Sequence, residues 1–127
     1  MAGMTYVVDR AYNDYGWYYA LTQQGSVFVG RMKRNALYEV LETKSVIGEG
    51  ILSDEVIQLS SRKAKKACLS PMRRVKFCRK EDGKILEFIT NDMTRSAQEI
   101  ADLYKQRWQI ELFFKWIKQN ATSTLQP

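Results

Sequence analysis

Two changes of hydrophobic period within residues 5–34 constrain this chain more than any other feature. TYVVD is a short apolar run ending in a carboxylate, Asp9, and suits a buried strand. RAYNDYGWYYALTQQG follows, with Tyr15, Tyr18, Tyr19 and Ala20 at helical spacing and Gly25 as a stop signal. SVFVGRMKR then alternates Val27 and Val29 with Phe28 and Gly30, a strand pattern leaning toward burial on both faces. Strand, helix and strand in close succession make an α/β unit whose first strand delivers Asp9 at its C-terminal end.

From about residue 35 to 92 the pattern is short strands between polar turns. LYEVLETKSVI and DEVIQLSS read as strands, and PMRRVKFCRK and KILEFITN form a pair joined across Glu81, Asp82 and Gly83. Asp-Gly is a two-residue hairpin signal. The block is expected to be a small antiparallel sheet inserted into the α/β unit. Its basic runs, Arg62-Lys63-Ala64-Lys65-Lys66 and Arg73-Arg74-Val75-Lys76, either follow a phosphate backbone or form a solvated charged face.

After TNDMTR the period is helical to the end. Ser96 and Glu99 are spaced as a capping box, and Ile100, Leu103 and Ile110 supply apolar contacts. The spacing leaves open a break near Gln106. NATSTLQP is polar and is expected to fray.

The charge balance, 20 Lys and Arg against 14 Asp and Glu, favours a polyanionic partner such as nucleic acid. There is no histidine, so histidine bases and most zinc sites are excluded. Cys68 and Cys78 have no CxxC spacing, which suits a reduced compartment. No long apolar run opens the chain, and the reading is cytoplasmic, without signal peptide or membrane span.

One carboxylate, Glu111, stands among cations and rings in YKQRWQIELFFKWIK. On an unbroken helix at ~100° per residue, Tyr104, Arg107, Glu111 and Lys118 share a sector of roughly 60°. Arg107 and Glu111 also form an ordinary i,i+4 pair, which needs no function. Trp108, Phe113 and Trp116 lie on other faces and are expected in the core.

Y-x2-R-x3-E-x6-K resembles the C-terminal signature of DDE transposases of the IS-four insertion-sequence group. IADLYKQRWQIELFFKWIKQ is similar to the family's helix, YVVDRAYNDYGWYYAL to the segment with its second catalytic aspartate, and SVFVGRMKR to the strand after it. The resemblance covers roughly residues 5 to 120. It implies an α/β fold: a partial RNase H-like core at 1–34 and 93–120, a β-rich insertion at 35–92 and a frayed tail at 121–127. It also implies that Asp9 and Glu111 are catalytic carboxylates binding Mg²⁺, with Mn²⁺ as substitute, and that Tyr104, Arg107 and Lys118 grip DNA. The DNA would be transposon ends and target, cut and joined by a homodimer of the complete enzyme.

The family pattern includes a further aspartate on an upstream strand, and none of the eight residues before Asp9 is acidic. The chain is therefore expected to be a truncated piece, inactive alone, with an exposed sheet edge. Asp14 is the nearby acid, expected on the following helix. The alternatives are a non-catalytic nucleic-acid-binding remnant and another RNase H-like nuclease such as a resolvase.

Overall fold

A computed structural model describes residues 3–8 and 14–125, with side chains to residue 120. Asp9 lies outside the described residues. The elements run β1 (Thr5–Val7), α1 (Tyr15–Gln23), β2 (Val27–Arg31), β3 (Tyr38–Thr43), β4 (Ile51–Leu59), α2 (Arg62–Lys66), β5 (Met72–Cys78), β6 (Ile85–Thr90) and α3 (Ala97–Leu125). The fold is α/β around a mixed six-stranded sheet of order β1-β2-β6-β5-β4-β3. Among the described residues only β1 and β2 pair in parallel, as the intervening α1 requires; the other pairs are antiparallel.

The strands of 35–92 do not form a sheet of their own. Thr90 and Ile89 of β6 pair with Val29 and Gly30 of β2, so the hairpins continue the sheet that the α/β unit begins. Gly30 permits the crowding there: a Cβ on it would come within 2.8 Å of Val8 Cγ2.

Alternation along the strands divides the core into two layers. Phe28, Ile89, Met72, Ile57 and Leu59 pack with Tyr18 and Leu21 of α1 and Ala64 of α2. Tyr18 stacks on Phe28 with centroids 4.0 Å apart, and burial, with Tyr15 and Asp14 adding to it, pushes its hydroxyl up to about 12. On the other face Val29, Val75, Leu86 and Phe88 pack against Ala97, Ile100, Ala101 and Tyr104 of α3.

The hairpin between β5 and β6 is wider than a two-residue turn. The pair Cys78–Ile85 is followed by Arg79 N–H donating to Lys84 O at 2.8 Å and Gly83 N–H donating to Arg79 O at 2.7 Å, with Gly83 at φ 70°. The Asp82 carboxylate accepts from the Arg79 guanidinium, first, and from Lys84 N–H, and these hold it down to about 2. That side-chain bracket stabilises a longer loop than Asp-Gly alone requires.

The structure decides three points about the helices. The run Arg62–Lys66 lies in a helix, α2, because the Ser61 hydroxyl caps it by accepting from Ala64 N–H at 3.1 Å. Helix α3 runs from Ala97 to Leu125 without a break at Gln106, a point the spacing had left open. Phe113 and Trp116 are 58% and 60% exposed rather than in the core, because α3 runs on beyond the sheet. Trp108, still over the sheet, is partly buried and carries the Arg79 guanidinium 4.4 Å from its ring centroid.

Candidate functional site

The β6–α3 junction aims the helix. Ser96 and Glu99 form the expected reciprocal cap: Glu99 N–H donates to the Ser96 hydroxyl at 3.1 Å, and Ser96 N–H to the Glu99 carboxylate at 2.9 Å. Before it lies a network that the sequence reading missed. Arg73, 3% exposed, grips Asp54 with two parallel 2.7 Å bonds and donates to the backbone carbonyls of Asp92 and Arg95. Arg74 turns to the other face and binds Glu55 at 2.8 Å and Glu87 at 3.0 Å. Neither reading of the Arg73–Arg74 run therefore holds: the guanidinium groups are buried in ion pairs, neither solvated nor offered to phosphate. The available signal was parity, since Arg73 shares the inward phase of Val75 and Phe77 on β5.

Asp92 completes the junction. Its carboxylate accepts from the N–H groups of Thr94 and Arg95, the Thr94 hydroxyl and the Arg95 guanidinium, at 2.6–3.0 Å. Burial alone would raise its pKa; these four donors outweigh it and hold the carboxyl below the ordinary range. A lowered folded pKa contributes stability above the unfolded value, lost as pH falls through the folded one. Asp92→Asn is therefore expected to cost about 1–3 kcal/mol at neutral pH. The gap should shrink below about pH 4, where the unfolded carboxyl protonates. Urea midpoints of both proteins at neutral and acid pH check this, and a pH-independent gap would contradict it.

From this junction α3 crosses the sheet toward the end where β1 and β2 finish. Val8 N–H donates to Val29 O at 2.9 Å, so the chain follows β2 for one residue beyond β1. Arg31 ends β2 and donates Nη1–H to the Tyr104 hydroxyl at 3.4 Å. Tyr104 itself is 5% exposed, with its ring 4.9 Å from that of Phe88.

At ~100° per residue, Ile100, Tyr104, Arg107, Glu111 and Lys118 form one row spanning roughly 60°. Ile100 and Tyr104 pack on the sheet. The same row then becomes Arg107, Glu111 and Lys118 as the helix leaves the sheet. Arg107 Nη2 lies 3.1 Å from Glu111 Oε1, both side chains about 40% exposed. Arg107 Nε is buried without a hydrogen-bond partner. Lys118 is exposed. Asp14 caps α1, accepting from Trp17 N–H at 3.0 Å, and does not lie within the helix.

Among the described residues no three or more His, Cys, Asp or Glu side chains group to hold a metal ion. Glu111 faces a guanidinium, not a second carboxylate. These residues do not by themselves fit a divalent-cation centre. Among them, no helix is long and apolar enough to cross a membrane.

The fold and the Arg107–Glu111 row define an α/β domain with a carboxylate set among cations at the end of its sheet. Residues 2–124 match the model of the transposase DDE domain, and the chain belongs to that family. A Sinorhizobium fredii protein named as a transposase, y4zB, is 38% identical over 94% of this chain and 34% of its own length. A Geobacillus stearothermophilus protein named as the transposase for insertion sequence element IS5377 is 36% identical over 89% and 30%. The chain thus spans about a third of the length of these relatives. No solved structure matches it.

Proposed function

We propose that this chain is part of the catalytic domain of a DDE transposase of the IS-four kind, with an RNase H-like core at 1–34 and 93–120 and 35–92 as the inserted strands. The whole protein would cut insertion-sequence ends and transfer the strands to target DNA, in the cytoplasm and as a homodimer. Asp9 and Glu111 supply two of its carboxylates. Arg107 offers a fork and Lys118 a point charge to DNA phosphates, while Tyr104 braces the site from the core. One observation carries this reading: the sheet-facing row of α3 turns from apolar to Arg107–Glu111–Lys118 beyond Tyr104, where Arg31 at the end of β2 meets the helix.

Asp9 and Glu111 would be among the residues holding Mg²⁺ or Mn²⁺, which would supply Lewis-acid chemistry for phosphodiester cleavage. Carboxylate oxygens are the right donors for it, and the further donors would have to come from outside this chain. The apolar surround of the overhanging helix, with Ile110, Leu112, Phe113, Phe114, Trp116 and Ile117 exposed, suits a segment packed inside a larger protein.

The chain alone is expected not to nick supercoiled DNA in Mg²⁺ or Mn²⁺. Grafted in place of the matching segment of the Sinorhizobium relative, it should support DNA cleavage. Asp9→Asn or Glu111→Gln in that chimera should lower cleavage by at least about 100-fold, since even groups behind metal ligands give 10–100-fold. Cleavage indifferent to both substitutions would refute the carboxylate assignment. Metal-dependent nicking by the isolated chain, lost in Glu111→Gln, would refute the need for further carboxylates.

A further inference from the structure

The structure brings together a second group of cations that the sequence reading did not assign. Where β2 leaves β6, a cleft of about 370 Å³ is lined by Arg31, Met32, Arg34, Lys84, Ile85 and Glu87. The carboxylate among these residues, Glu87, is bound by Arg74 at 3.0 Å. Among the described residues no carboxylate lies within salt-bridge distance of Arg31, Arg34 or Lys84.

Arg31 is the most constrained of the three. It is half-buried, with Nη1 on the Tyr104 hydroxyl, the guanidinium carbon 5.9 Å from the Tyr104 centroid, and Nε buried with no partner. A guanidinium oriented in this way, with donors to spare and no counter-charge among the described residues, is prepared for an anion with several acceptor oxygens. Arg107, one turn beyond Tyr104 on α3, has a buried unpaired Nε as well. The two arginines flank the same tyrosine, one from the strand and one from the helix.

We propose that Arg31, Arg34 and Lys84 bind the phosphate backbone of duplex DNA, continuing the track that Arg107 and Lys118 begin beside Glu111. The inference rests on the transposase reading above and adds a surface to it. It also moves the phosphate contacts away from the Arg73–Arg74 run, because those two arginines are committed to buried ion pairs. The lysines of α2 are exposed but do not line this cleft.

The test is equilibrium binding of the 127-residue chain to a random-sequence duplex DNA, followed by fluorescence anisotropy across a salt series. Arg34 and Lys84 are exposed, so their alanine double variant should keep the fold, which thermal unfolding checks. Each neutralised phosphate adds about 0.9 to the slope of log affinity against log salt, so this variant should lose about 1.8 and bind at least about tenfold more weakly at ~0.1 M salt. Lys63→Ala/Lys65→Ala removes the same charge and should stay within about twofold, since charges beyond about 10 Å are largely screened at that salt.

Equal losses in the two double variants would overturn the proposal in favour of diffuse attraction. Loss in Arg107→Ala/Lys118→Ala but none in Arg34→Ala/Lys84→Ala would overturn it and leave the transposase reading standing. A chain that holds no duplex at all would count against both. Tighter binding of duplex RNA than of DNA would overturn the choice of ligand.

Discussion

Arg73→Ala is expected to destabilise the protein by about 3–5 kcal/mol, the range for removing one partner of a buried ion pair. Domains of this kind have only about 5–15 kcal/mol in total, so the variant should be largely unfolded on mild heating. Asp54, 4% exposed, would be left buried with no guanidinium beside it, and the carbonyls of Asp92 and Arg95 would lose their donor. The second loss loosens the start of α3, fourteen residues before Glu111. Arg73→Met/Asp54→Leu separates the two effects. Apolar replacement of a whole buried pair is often nearly neutral, so the double variant should be more stable than Arg73→Ala while still lacking the carbonyl clamp. Urea unfolding of all three proteins decides it. A cost below about 1 kcal/mol for Arg73→Ala, the value of an exposed pair, would mean that Asp54 is compensated in some other way.

Phe88→Ala should cost a similar amount, about 3–5 kcal/mol, through lost burial and the cavity left behind. Phe88 is 0% exposed and lies between Phe77 and Tyr104, with centroids 6.4 and 4.9 Å away. Its removal takes away the surface on which Tyr104, and through it Arg31, is held. The matched control is Phe114→Ala: Phe114 is 62% exposed, and its loss should stay within about 0.5 kcal/mol. Comparable destabilisation by the two substitutions would mean that the overhanging half of α3 is packed in the isolated chain. Near-UV circular dichroism gives a second readout, since Phe88→Ala should disturb the tyrosine signal even at temperatures where the chain remains folded.

The two halves of the candidate site differed in how far the sequence alone revealed them. The Tyr104–Arg107–Glu111–Lys118 row follows from helical geometry, because one continuous helix converts spacing directly into direction. The strand–helix–strand opening and the Ser96–Glu99 cap were legible for the same reason: each is set by residues within a few positions of one another. The Asp82-Gly83 turn was located but too tightly drawn, because the Arg79 side chain reshapes it from outside the two turn residues.

What the sequence determined by itself was therefore local: the period of each element, the cap, and the phase that sets Glu111 among cations. Tertiary structure alone decided the rest. It turned Arg73 and Arg74 inward, since Asp54, Glu55 and Glu87 come from neighbouring strands. It joined the hairpins to β2 in one sheet and set Arg31 against Tyr104, 73 residues away. It also left Phe113 and Trp116 exposed, because α3 continues past the sheet. An arginine in a basic run has the same sequence signature whether it meets solvent, phosphate or a carboxylate from another strand; only the fold brings the partner that distinguishes them.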